Sequence, residues 1–308
     1  MKNILMLLAA LAAAQPAAAA IKVFTCEPEW AALARELGGD DVEAYSASTA
    51  VQDVHKVQAR PSLIAKYRQA DLVACTGAEL EIGWLPALAE KGNNPRVLAG
   101  RPGFFEASAY VHMLEVPSSV DRSMGDVHPF GNPHVQTGPQ NIAPVAQALA
   151  QRLAELDPPH ADAYRRRHAD FAARWQQALE RWKVRAAPLK DVPVISHHKT
   201  WAYLYDWLGI RQVALLEPKP GIPPSGAHLE EVLAIQKAQP ARMVVYSSYE
   251  DPRPAQWLSQ RAGIPAVQLP FSVGGVPGTD DLFGFYQALL DRLLQGAAAA
   301  PAVEPSRP

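Results

Sequence analysis

Three histidines stand far apart along the chain, each beyond a strand-like run: His55 in VQDVHKVQARPS, His134 in GDVHPFGNPH and His198 in VPVISHHKTW. Neutral imidazole nitrogen is a good zinc ligand, and ligands so dispersed meet only once the chain folds. A set of this kind suits a metal cleft between two lobes. In an open parallel sheet, ligands bind beyond the carboxyl ends of the strands. His55 leaves the second strand-like run and the His197-His198 pair stands where VPVIS ends, so both fall on that edge. His134 closes a long loop that can fold back over it. Successive residues at a strand end point to opposite sides, so only one of His197 and His198 is expected to reach a given metal. A lone loop histidine is ordinarily solvated or capping, which accounts for His112, His160 and His168, and His228 in SGAHLEEV belongs to a helix start. His128 is either an auxiliary ligand or a plain loop residue.

The elements that must position these side chains are legible as alternation. IKVFTC, DVEAYSAS and ADLVACTG read as strands, and PEWAALARELGG and RPSLIAKYRQ between them as helices, with a shorter strand at RVLAG near Val97. The segment from Arg101 to Pro139 is rich in Gly, Pro, Ser and His and reads as a long functional loop. IAPVAQALAQRLAEL and ADAYRRRHADFAARWQQALERWKV are both helical, separated only by DPP, and form a helical spine. Strands then alternate with helices again: VPVISH and TWAYLYDWLG, QVALLEP and HLEEVLAIQKAQ, ARMVVYSS and PAQWLSQRAG, PAVQLPF and DDLFGFYQALLDRLL. The pattern predicts an α/β protein of two lobes, each a parallel sheet flanked by helices, joined by the spine. The expected divisions are an N-terminal lobe over 21–140, a linking helix over 141–187, a C-terminal lobe over 188–295 and a disordered low-complexity tail over 296–308.

Residues 1–20, MKNILMLLAALAAAQPAAAA, read as a cleavable export signal: Lys2, an apolar run too short to span a bilayer, and small residues up to Ala20. A periplasmic location is expected, without lipid attachment, because Cys26 lacks the small-residue approach of a lipoprotein signal. Losing Lys2 would take the formal charge from −2 to −3, near neutral for 308 residues, which argues against nucleic acid as a partner. Cys26 and Cys75 both end strand-like runs. In an oxidising compartment they would form a bridge worth about 4 kcal/mol on the chain-entropy model, and otherwise they are two buried thiols.

The segment VQDVHKVQARPSLIAKYRQADLVACTGAELEIGWLP resembles the first metal-binding segment of the zinc and manganese ABC-transporter solute-binding proteins. GNPH with the helix after it, and SHHKTWAYLYDWLGI, are similar to that family's second and third ligand segments, and the likeness runs from Ile21 to Leu294. It implies a monomeric periplasmic receptor, not an enzyme, that hands a divalent metal to the permease of an ABC importer. It also implies His55, His134 and His198 as ligands. Manganese members usually have a carboxylate at the third position; His198 there favours Zn2+ as the transported ligand over Mn2+.

The chain departs from the family where a fourth, acidic ligand is usual: LPFSVGGVPGTDDLFGF has Ser272 and Val273 at that point. The fourth position is left to water, Asp280, Asp281, Asp53 or Glu250, although an N-cap role suits Asp280 or Asp281 better. Two other functions compete. Three histidines and an open water position would serve a secreted zinc hydrolase, but the sequence has no H-E-x-x-H helix. The same two-lobed architecture would also serve a siderophore, haem or corrinoid receptor, which predicts a cleft lined by aromatic residues or arginine.

Overall fold

A computed structural model describes residues 19–121 and 124–300. The export signal expected over 1–20 lies, all but its last two residues, outside the described residues, as do residues 301–308 of the expected tail. The N-terminal sheet contains β1 (Ile21–Thr25), β2 (Val42–Ser46), β3 (Leu72–Cys75) and β4 (Phe104–Glu106) in the order β2-β1-β3-β4. The C-terminal sheet contains β5 (Pro193–Ser196), β6 (Arg211–Leu215), β7 (Met243–Ser247) and β8 (Ala266–Leu269) in the order β6-β5-β7-β8. Every strand pair is parallel. Each sheet therefore reverses strand order between its two central strands, which opens a crevice at the carboxyl edge there.

Period-two alternation sorts the strand residues between two cores. In β3, Leu72 and Ala74 join the main core, while Val73 and Cys75 pack on the other face with Leu63 and Tyr67 of α2 (Pro61–Gln69) and Leu88 of α3 (Leu85–Gly92). β7 repeats the arrangement: Met243 and Val245 face the main core. Its Val244 and Tyr246 face Val232 of α7 (Gly226–Ala238) and Leu258 of α8 (Pro252–Ala262). Both strands are buried on both faces, which is why they read as unbroken apolar runs. α6 (Ala202–Leu208) follows β5, and α8 ends at Gly263 with φ 67°, a left-handed C-cap that suits glycine.

The main core runs through both lobes, joined by α1 (Pro28–Gly38), α4 (Pro139–Leu156), α5 (Ala161–Arg185) and α9 (Leu282–Ala299). The helical region expected over 141–187 is two helices packed on each other across a turn at Pro158–His160, where consecutive prolines supply no N–H. α5 reaches both lobes, as α4 does through its contacts with α1 and α6. Its Arg167 and Arg174 pair with Asp41 and Glu36 of the first, and Arg185 pairs with Asp291 of α9. Trp182 donates to Gln287 of the same helix at 3.0 Å. Trp175 stacks on Phe171, meets Phe283 and Tyr286 edge-on, and donates to Pro139 O at 3.0 Å.

Three local readings change. RVLAG is not a strand: Pro95–Val97 is a 3-10 turn whose Asn94 side chain accepts from Arg96 N and donates to Tyr67 O, Arg68 O and Ala70 O. The fourth strand lies further on, at Phe104–Glu106, inside the segment expected to be loop, where Phe105 supplies a core side chain. The tail does not begin at Gly296, because α9 continues to Ala299. A Cβ at Gly296 would lie 2.5 Å from Val267 Cγ2, so glycine lets α9 approach the sheet closely. Arg242 donates to Ala297 O and Ala300 O at the helix end. Cys26 and Cys75 are joined in a disulfide that closes a sequence separation of 49 residues. Among the described residues no helix is long and apolar enough to cross a membrane.

Candidate metal centre

Each histidine is delivered by a short, over-determined piece of backbone. His55 lies in a 3-10 turn, Val54–Lys56, beyond β2, capped by Asp53. Trp84 Nε1 donates to Val54 O at 2.9 Å and fixes that turn against the first lobe. His134 lies beyond β4, and its N–H donates to Asn132 Oδ1 at 3.0 Å. Asn132 in turn donates to Glu115 Oε2 and to Lys199 O, and Thr137 Oγ1 donates to Thr200 O. The His134 segment is thus tied directly to the one carrying His198, which immediately follows β5 and precedes the 3-10 turn Lys199–Trp201.

These tethers bring His55, His134 and His198 together: one ligand atom from each lies within 4.8 Å of the other two. His134 Nε2 and His198 Nε2 are 3.3 Å apart. Two nitrogens bound tetrahedrally to one zinc at about 2.0–2.1 Å would themselves be separated by about 3.3–3.4 Å, so the pair already has the spacing a shared ion requires. His134 and His198 are buried, and the His55 side chain is 14 % exposed.

Carboxylates orient two of the three rings. His55 Nδ1 is 2.8 Å from Asp53 Oδ1, and His198 Nδ1 is 2.6 Å from Glu217 Oε2. A proton held on each Nδ1 leaves the Nε2 lone pair free, fixes the tautomer and makes the ring more basic. The environment sets the charge states accordingly. Burial, then the neighbouring His55 and His198, hold His134 well below the usual imidazole range, so it is neutral and ready to coordinate at neutral pH. For His198 burial acts downward, but the hydrogen bond and charge of Glu217 outweigh it and raise the group. For Asp53 burial acts upward, but the hydrogen bonds and charge of His55 lower it to about 2, so it stays an anion.

The other candidates separate cleanly. His128 comes near, its ring centroid 5.6 Å from that of His55, and burial with the His55 charge depresses it to about 4. His197 lines the cavity beside the triad but contributes no atom to the three-nitrogen cluster. Asp280 and Asp281 are exposed and absent from that cavity; Asp281 caps α9 by accepting from Gly284 N at 2.7 Å. Asp53 is engaged with His55. Glu250, beyond β7, lines the cavity, and burial raises it to about 8. His160 pairs with Asp157 at the spine turn, His228 sits in the first turn of α7, His112 is exposed and His168 lines a groove between α4 and α5. Sequence reasoning missed Glu217 as the orienting partner of His198. Its one trace in the sequence was its place at the end of the strand-like run QVALLEP; that this strand lies beside β5, which ends at Ser196 two residues before His198, is seen only in the fold.

Comparison with known proteins bears on the whole arrangement. The family model of ZnuA, "Zinc-uptake complex component A periplasmic", matches residues 23–296. The iron-binding protein YfeA of Yersinia pestis is 26 % identical over 266 residues, covering 82 % of this chain and 75 % of its own. The manganese ABC transporter substrate-binding lipoprotein PsaA of Streptococcus pneumoniae is 21 % identical over 250 residues, covering 80 % and 77 %. A zinc-bound ZnuA deletion mutant superposes with a TM-score of 0.75 at 21 % identity, covering 92 % of this chain and all of its own, and supports the fold. With a match that runs through both sheets and the helices joining them, this chain belongs to the ZnuA family.

Proposed function

We propose that this chain is an exported receptor that takes one divalent transition metal into the cleft between its lobes and delivers it to the permease of an ABC-type importer. Zinc is the cargo, and His55, His134 and His198 are its ligands. The observation that carries this reading is the convergence of three imidazoles, from segments beyond β2, β4 and β5, to within 4.8 Å of one another. The named metals of the relatives divide among zinc, manganese and iron. The choice of zinc therefore rests on the donors: three nitrogens suit zinc, whereas manganese favours oxygen.

Capture and release follow from the division of ligands. Residues 21–140 supply His55 and His134, residues 188–295 supply His198, and the helices between them join the two lobes. The ion would enter a site whose His134 and His198 nitrogens already stand 3.3 Å apart. Opening the lobes on the permease would withdraw His198 and lower the affinity by removing one bond from the set. The anionic Asp53 beside His55 and the Glu217 carboxylate beside His198 offset the divalent charge in a cleft partly shielded from water. The receptor acts as a periplasmic monomer, with no catalytic role for the metal. Competition titration of the purified mature protein against a chromophoric chelator tests this. One zinc should bind tightly and manganese much more weakly; equal or tighter manganese binding would overturn the cargo and the three-histidine ligand set together.

A further inference from the structure

Beside His55 and His198 lies a cavity of about 410 Å³ lined on the C-terminal side by Glu217, Tyr249, Glu250, Asp251 and Arg253. Most of its carboxylates are committed. Asp53 holds His55, Glu217 holds His198 and accepts from Gly221 N, and Asp251 pairs with Arg253. Asp126 stands exposed at the mouth. Glu250 differs: Oε2 accepts from Ser247 N, while Oε1 is out of solvent contact and has no hydrogen-bond partner. A buried carboxylate oxygen without a donor is unfavourable unless something else meets it.

We infer that Glu250 supplies a fourth, anionic donor through Oε1 to the metal held by His55, His134 and His198. The inference rests on the three-histidine reading above and extends it. Its basis is topological as well as chemical. β5 and β7 are the adjacent central strands of their sheet, and His198 and Glu250 follow their respective carboxyl ends, so the two flank the crevice at the point where strand order reverses. Ser272 and Val273, beyond the neighbouring strand β8, are buried and bring no carboxylate to that edge. The glutamate also has the support that carboxylate ligands usually have, one oxygen fixed by a backbone N–H and the other left for the ion. The cluster of mutually close ligand atoms comprises the three histidines without Glu250, so the carboxylate must swing toward the ion on binding. A His3Glu set carries an oxygen anion, which lifts manganese and iron affinity above that of three imidazoles alone.

The test compares wild type, Glu250→Gln and His198→Ala, each checked for native circular dichroism, using zinc and manganese in chelator competition and cobalt(II) as a spectroscopic probe. Glu250→Gln keeps the shape and the Ser247 contact but removes the anion. It should weaken zinc by more than the roughly 10- to 100-fold typical of groups that only support a ligand, weaken manganese further, and change the cobalt visible bands. Unchanged cobalt bands, with or without a loss of affinity, would overturn the inference. If at the same time His198→Ala abolishes tight binding, the three-histidine site stands without Glu250. If His198→Ala binds zinc like wild type, the underlying site is wrong and the inference falls with it.

Discussion

At His198 one ring nitrogen faces Glu217 and the other faces His134, and that division of labour makes the residue a ligand candidate where its neighbour is not. His197 is buried in the same cavity wall, with an unpartnered Nδ1 and a position lowered by burial. His198→Ala should weaken zinc binding by several orders of magnitude, because it removes a bond to the ion. His197→Ala should cost about 10- to 100-fold at most, as losses from the surrounding shell do. The two variants, compared by competition titration, would contradict the assignment if their effects were exchanged. The pH dependence has a definite sign. Metal requires neutral imidazole, so a group raised above its ordinary value, as His198 is, begins to compete for its proton at higher pH than an ordinary histidine. His134, held well below, stays neutral until the solution is much more acidic. Zinc affinity should therefore begin to fall where His198 must release a proton to bind the ion, and steepen as the solution becomes more acidic. Calorimetry in buffers of different ionisation enthalpy reads the protons released, and a constant affinity between about pH 7.5 and 5.5 would be incompatible with three imidazole ligands. The three histidines that the fold brings together were readable in the sequence because histidine beyond a strand end is distinctive. Their partners were not: Asp53 was visible only as a possible fourth ligand, and Glu217 reaches His198 only through the pairing of β5 with β6, which no local pattern encodes.

At the scale of elements, the positions of the histidines follow from where parallel strands end. Each sheet buries one central strand, β3 or β7, on both faces, so side chains able to meet a polar ligand gather in the loops at one edge. Alternating apolar runs and helical stretches made this legible, including the long helical region between the lobes. Short elements were harder. Phe104–Glu106 supplies a strand of three residues, too brief for periodicity to register, while RVLAG had the composition of a strand but begins at a proline turn held by Asn94. Likewise, the alanine-rich end of α9 reads as low complexity although alanine is the best helix former, and the packing of Gly296 on Val267 cannot be seen along the chain. An element that holds the lobes in register is α5. Trp175 is fully buried there among Phe171, Trp182, Phe283 and Tyr286, so it joins the helix to α9. Trp175→Ala should cost about 3–5 kcal/mol of stability in urea unfolding, as large-to-small core changes do. A loss within error of zero would mean that this aromatic cluster does not couple the spine to the C-terminal lobe.

For the molecule as a whole, one continuous core runs beneath both lobes while the ligand set is split across them. On the proposed reading, that combination gives a continuous back and a cleft whose two sides a bound ion would bridge. Family membership accounts for the architecture, and the proposal of zinc rests on the donors in this chain, since the relatives are named for manganese and iron as well. The most direct measurement is anomalous diffraction at the zinc absorption edge from crystals of the zinc-loaded mature protein. The expected result is a single strong peak in the cleft, about 2.0–2.1 Å from one nitrogen each of His55, His134 and His198. A zinc peak elsewhere, or one in the cleft from which any of those three imidazoles is absent, would contradict the account.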